Sequence, residues 1–342
     1  MRTRTRKCNV MSQSIVEYQS ATPSTADPKT GVGRQLVGRA KAYLRTVSSL
    51  RSIKRKLVEY ARGSEEIVYR QSEVAQKQLI ASWKQLQASG VILPLDQVGF
   101  SRFSEFEEDG QLLYLLTLAG SISRTVVEIS SQDGRICMAT NLLVHHRWRG
   151  FLFDGDPVFV GEGQRFFASH PATRSAPPVM RAEWFTRKNV NHVLASAGVP
   201  KDVDVLSLDI DGNDLYLWSA MEMRPRILVC EFNNAVPSDL ALTIPYKPDF
   251  SFAALPADQA MFRSASLAAF VAVGRRKGYR LVGMNALGFN AIFLRDDVLA
   301  AEIPEISAAT LDANPDAETV RRQWWSRLSQ LPWIEVPADG KI

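Results

Sequence analysis

Residues 202–218 read DVDVLSLDIDGNDLYLW, and this stretch decides the fold class. Val203, Val205, Leu206 and Leu208 form a short apolar run with the character of a buried strand. The run gives way to Asp209, Asp211 and Asp214, interleaved with Gly212 and Asn213. Clustered carboxylates at the end of a buried strand are costly unless something neutralises them. In open α/β sheets, ligands bind outside the carboxyl ends of the strands. The stretch therefore marks both a strand and the edge of a site.

Working outward, further apolar runs alternate with helical patterns. Strands are expected over 124–129, 150–153, 182–185, 203–208 and 227–230, with helices over 112–118, 139–146, 189–197 and 265–277. Gly278 closes the last of these helices in the manner of a C-cap. Residues 279–284 and 289–294 then read as a hairpin. Such alternation implies a mostly parallel sheet with helices on both faces, and the hairpin adds one antiparallel strand. Beyond residue 300, one helical stretch over 318–328 carries Trp324 and Trp325 and is expected to pack on the surface.

Composition narrows the class. The chain has 342 residues, of which 46% are hydrophobic and 23% charged, which is ordinary for a globular protein. No apolar run approaches the roughly 20 residues that span a bilayer, and no apolar segment follows the basic N-terminus as a secretory signal would require. Cys8, Cys137 and Cys230 stand in no metal-ligand spacing, so a reduced, cytoplasmic setting is expected. The net charge of +5 hides an asymmetry, because residues 1–90 hold 17 Lys and Arg against 6 Asp and Glu. The rest of the chain is mildly acidic.

Four domains are expected: a disordered basic arm over 1–33, a helical extension over 34–91, an α/β body over 92–299 and a helical tail over 300–342. In the extension Leu36, Tyr43, Leu50 and Leu57 recur every seven residues among many Arg and Lys, and Ile67, Val74, Leu79, Trp83 and Leu86 mark a second helix. Such basic amphipathic helices pack on the body or on a second copy, or else engage a membrane surface or an acidic partner protein. Nucleic acid is disfavoured, since no recognition motif accompanies the charge.

Four expected strands end in acids: Glu128, Asp154, Asp209 and Glu231. In register they line one edge of the sheet. An acid ending the second strand, as Asp154 does, accepts hydrogen bonds from ribose hydroxyls in nucleotide-binding sheets, because a carboxylate takes two donors at once. A nicotinamide dehydrogenase is disfavoured, as no GxGxxG follows the first strand.

Six passages occur in one order: FSEFEEDGQLLYLL (103–116), VVEISSQDG (126–134), FLFDGDP (151–157), LSLDIDGNDLYLW (206–218), VCEFN (229–233) and YRLVGMNALGFNAIFLRDD (279–297). Together they resemble the class I S-adenosylmethionine-dependent methyltransferases, of the FkbM-like branch, over roughly residues 100–297. The resemblance implies a doubly wound, Rossmann-like seven-stranded sheet, mostly parallel, with the last strand antiparallel, and S-adenosylmethionine as cofactor. By position it sets Glu128, Ser130, Asp133 and Gly134 toward the methionine part, Asp154 toward the ribose and Trp184 to Lys188 at the adenine, with Asp209 below the sulfonium. The acceptor it implies is a hydroxyl on a sugar, glycan or secondary metabolite.

Methylating an alcohol requires its proton to leave as the new bond forms, which calls for a general base or a metal ion. Asp209, Asp211, Glu231 and Asn233 are the catalytic candidates. Asp209 and Glu231 are the candidate ligands for a hard cation such as Mg²⁺. The alternative is that Asp209 only hydrogen-bonds cofactor and loop while Asp214 caps the next helix. Two departures from the family pattern motivate a second reading. Ser130-Ser131-Gln132 replaces a glycine turn, and Glu105 and Glu107 replace an amide and a glycine. That second reading is a methyltransferase-like domain without turnover, serving as a binding or scaffold module. His145, His146 and His192 are expected at the surface, residues 170–178 could cover the site, and Arg275, Arg276 and Lys277 suit a helix C-terminus.

Overall fold

The computed structural model describes residues 68–342. Ser72–Ile342 form one compact unit, the second of two along the chain. The basic arm, Cys8 and most of the helical extension lie outside the described residues.

The second unit is built on seven strands: β1 (Thr125–Ile129), β2 (Arg149–Asp154), β3 (Val179–Ala182), β4 (Val205–Leu208), β5 (Ile227–Glu231), β7 (Tyr279–Met284) and β8 (Asn290–Arg295). Their order is β3-β2-β1-β4-β5-β8-β7, with β8 antiparallel to both of its neighbours and the other pairs parallel. This is the Rossmann-like methyltransferase architecture, and the antiparallel strand comes from the hairpin expected at 279–294. Helices are α1 (68–88), α2 (Glu108–Ala119), α3 (Met138–His146), α4 (Pro157–Ser169), α5 (Val190–Ser196), α6 (Asp214–Ala220), α7 (Leu267–Lys277) and α8 (Pro315–Leu328). A two-stranded sheet joins β6 (Leu242–Thr243) to β9 (Ile334–Glu335). Among the described residues, no helix is long and apolar enough to cross a membrane.

Alternation along the strands sorts side chains between two cores. Val127, Ile129, Phe151, Phe153, Leu206 and Leu208 face α5, α6 and α7. Val126, Leu152, Val205, Ile227 and Val229 face α2, α3 and α4. Both faces are covered, which is why these strands read as continuous apolar runs. Trp218 on α6 is fully buried against Phe270, Tyr279 and Phe293.

Three expectations need correction. The third strand lies at 179–182, not 182–185, because Phe151 to Asp154 pair with Val179 to Ala182, and Glu183 adds only one amide bond to the Asp154 carbonyl. In α1 the inward stripe is Trp83 with Ile80 and Leu86, while Val74 and Leu79 face solvent. His145 is buried beside Phe103, and His146 meets Gln76 Oε1 at 2.7 Å, so the pair belongs to the packing of α3 on α1 rather than to the surface. Burial and neighbouring positive charge lower both imidazoles to about 4. His192 is exposed, as expected.

Candidate functional site

Two cavities open at the carboxyl edge of the sheet. The first, of about 640 Å³, is lined by Ser130, Asp154, Trp184, Phe185, Asp211 and Phe250, among others. The second, of about 300 Å³, is lined by Phe106, Glu231, Asn234, Met261, Arg263 and Ser264, among others. Asp211 on the first wall and Glu231 on the second are joined by the Arg263 guanidinium, so the cavities meet there.

The turn after β1 bears on the first cavity. Ser130 takes a left-handed φ of +77° and Gln132 one of +48°. Glycine enters that region freely, whereas for other residues it costs about 1–2 kcal/mol. Serine therefore takes up the backbone form that a glycine turn would supply. The amides of Ser130 and Ser131 both donate to the Phe153 carbonyl, at 2.8 and 2.9 Å, which ties the turn to β2. Asp154, at the end of β2, accepts from the amides of Gln132 and Asp156, each at 2.8 Å. The Trp184 ring lies over Gly155, where a Cβ would stand 3.0 Å from it, and Trp184 Nε1 donates to the Pro248 carbonyl at 2.8 Å.

Glu128 does not line this cavity. It shares the strand face of Val126, so its carboxylate turns toward α3 and accepts from Met138 N (3.0 Å), Ala139 N (2.6 Å) and Cys137 Sγ (2.9 Å). Burial pushes it up to about 7, against the pull of these donors. Such an acid favours the folded state while protonated, and that advantage is lost as pH rises from its ordinary 4.5 through about 7. Glu128→Gln removes the titration. Relative to wild type, it is expected to gain on the order of 2 kcal/mol in unfolding free energy between pH 5 and pH 8. Urea titrations at the two pH values check this, and a difference of opposite sign contradicts it. Asp133 pairs with Arg135, and Gly134, at φ +74°, backs onto the Phe167 ring. Neither is on the cavity wall.

The carboxylates of the opening stretch converge. Asp209, Asp211 and Glu231 each bring an oxygen within 4.8 Å of the others. Burial and the charge of Asp209 push the Glu231 carboxyl well up, and burial raises Asp209 too. Asp211 is set at φ +56°, a left-handed form that aspartate tolerates. Asp214 is fully buried and accepts from the amides of Ile210 (2.6 Å) and Gly212 (2.8 Å). It shapes the loop before α6 and does not cap the helix as expected, since the N-cap is Asn213 and carries no side-chain cap bond. Asn233 Nδ2 donates to the carbonyls of Met261 (2.6 Å) and Arg263 (2.8 Å), so its amide clamps the loop that carries Arg263.

Arg263 and the segment crossing the first cavity escaped the sequence. Phe250, Ser251, Phe252 and Ala253 cover that cavity, whereas residues 170–178 do not line it. Asn213 Nδ2 donates to the Lys247 carbonyl at 2.7 Å, and the Phe250 ring fills the space a Cβ on Gly212 would need. Behind this strap, Phe262, Ile244, Trp324, Trp325 and Trp333 form a small core of their own, so the tail is an integral brace. Glu107 also has a structural task, accepting from the Ala286 amide and covering Gly99.

No family model matches the chain, and no curated protein matches it. Solved structures with a similar trace include the plantazolicin methyltransferase, 13% identical with a TM-score of 0.35, over 78% of this chain and 96% of that one. Magnesium protoporphyrin IX methyltransferase from Synechocystis PCC 6803 is 11% identical with a TM-score of 0.34, over 57% and 85%. Geranyl diphosphate C-methyltransferase from Streptomyces coelicolor A3(2) is 12% identical with a TM-score of 0.31, over 73% and 93%. These likenesses are too slight to bear on what the chain does.

Proposed function

We propose that the chain is an S-adenosylmethionine-dependent methyltransferase, FkbM-like in its motifs, acting on a hydroxyl of a sugar, glycan or secondary metabolite. The first cavity carries this reading. It lies at the carboxyl ends of the strands in a sheet of methyltransferase order, with Asp154 on its floor and Trp184 on its wall. Its volume is in the range of small-molecule sites, about 300–1,000 Å³. A carboxylate has about four acceptor positions, and two of those on Asp154 are taken, which leaves room for two ribose hydroxyls. Trp184 and Phe185 offer flat apolar surface for adenine, and Ser130 brings backbone close to the methionine part.

The cofactor would supply a methyl group activated on a sulfonium. The chain's own task is to align the acceptor, exclude water and receive a proton. The second cavity is the acceptor's place in this reading, adjoining the first at Asp211 and Arg263. Asp209 is the proton acceptor in this reading; it is not on the lining of either cavity, and adjoins them through Asp211 and Glu231, whose oxygens lie within 4.8 Å of its own.

The reading is tested by incubating the protein with methyl-tritiated S-adenosylmethionine and a panel of hydroxylated sugars, glycans and phenols. Asp209→Asn is expected to keep cofactor affinity within a few-fold and to lose transfer by about 100-fold, the scale of general-base contributions. Undiminished transfer by the variant would remove Asp209 from that role. A chain that binds no cofactor would instead be a scaffold on a methyltransferase sheet.

A further inference from the structure

The two cavities meet at Arg263. Its Nη1 donates to Asp211 Oδ1, and its Nη2 lies 3.5 Å from Glu231 Oε1. The guanidinium carbon stands 5.3 Å from the centre of the Phe252 ring, so one face rests on the strap that covers the first cavity. The backbone beneath is held on both sides. Asn233 clamps the carbonyls of Met261 and Arg263, and Ser264 follows in a left-handed φ of +55°. The arginine is thus directed into the carboxylate cluster by its own loop and is not a surface side chain that has drifted there. About a quarter of its side chain is exposed.

Three carboxylates within 4.8 Å form the kind of oxygen donor set that suits Mg²⁺ or Ca²⁺. Here the donors already face a cation. A guanidinium keeps its charge at any physiological pH and presents five donors in a plane, so it can serve two carboxylates at once. A divalent ion entering the cluster would meet like charge at short range and would have to displace two ion pairs. As the residues stand, a metal ion does not fit the cluster.

We propose that Arg263 is the resident cation of this cluster, a positioning residue whose guanidinium holds Asp211 and Glu231 where a divalent ion would otherwise bind. The fixed charge neutralises the Asp211 and Glu231 side of the cluster and leaves Asp209 to receive a proton. That last consequence rests on the methyl-transfer reading, whereas the assignment of the charge does not.

The test is a titration of the full chain with Mn²⁺, followed by electron paramagnetic resonance, in wild type, Arg263→Ala, Arg263→Lys and the double variant Arg263→Ala with Asp211→Asn. Wild type is expected to show no saturable site up to about 1 mM. Arg263→Ala should gain one site at least about tenfold tighter. Arg263→Lys, which keeps a cation, should gain none, and Asp211→Asn should remove the gain. Arg263→Met, which keeps the stem on Phe252, replaces the alanine variant if the latter fails to give a native circular dichroism spectrum. Stoichiometric Mn²⁺ binding by wild type that Asp211→Asn abolishes would overturn the proposal. So would a folded Arg263→Ala or Arg263→Met that gains no site. No cofactor is present in these titrations, so they read out whether or not the chain binds S-adenosylmethionine. A failure to bind that cofactor counts against the methyl-transfer reading alone.

Discussion

Asp154→Ala is expected to weaken S-adenosylmethionine binding by about 100-fold or more, read by calorimetric titration. The figure follows from two hydrogen bonds between ribose hydroxyls and a carboxylate, each contributing about 1.5–3 kcal/mol. The same carboxylate receives the amides of Gln132 and Asp156, so alanine also frees the turn that carries Ser130. Asp154→Asn separates the two effects. It keeps one acceptor oxygen for the turn and should retain the native fold while still losing affinity. An alanine variant that is folded and binds the cofactor as wild type does would remove Asp154 from the site.

Asp204→Ala is expected to destabilise the protein by about 3–5 kcal/mol, the usual cost of removing one partner of a buried ion pair. Asp204 is fully buried at the opposite end of β4 from the site. Its carboxylate accepts from the amides of Ile122 (2.9 Å), Ser123 (2.9 Å) and Arg124 (2.7 Å), and from Arg226 Nη1 at 3.1 Å. Arg226 in turn donates to the carbonyls of Ala119 and Gly120, at the end of α2. Burial works to raise this carboxyl, but the amides and the guanidinium outweigh it and hold it below its ordinary value. The one side chain therefore fixes the α2–β1 connection to β4 and β5. Denaturant unfolding reads the loss. A change under 1 kcal/mol would mean that the amides find other partners.

The sheet was legible because its parallel strands are buried on both faces and spell out apolar runs, as in VVEI, FLF, VLSL and ILVC. The third strand was less so. VMRA carries an arginine and is only partly covered, while the neighbouring AEWF looks more strand-like through its aromatics. Helix α4 was not read at all. PVFVGEGQRFFAS contains two glycines that blur the helical pattern, and Gly163 sits where the Met180 thioether packs against the helix. Asp156 as N-cap followed by Pro157 was the signal that could have found it.

In the site, local sequence identified the acids but not their directions. Glu128 and Asp154 look equivalent at strand ends, yet alternation turns the first into the α3 interface while the second reaches the cavity. Asn233 follows Glu231 by two residues and so reads as a catalytic partner. Its amide is committed instead to a loop about thirty residues ahead. Arg263 and the strap over the first cavity depend on contacts across about 50 to 65 residues, as in Trp184 with Pro248 and Arg263 with Asp211. Periodicity and spacing carry no trace of such pairings.

The central claim is that the cavity above Asp154 takes S-adenosylmethionine. Calorimetric titration of the wild-type chain with the cofactor tests it most directly. The account predicts one site per chain with a dissociation constant in the micromolar range, about −8 kcal/mol. Absence of heat and of saturation at millimolar cofactor, with the protein folded, would contradict it.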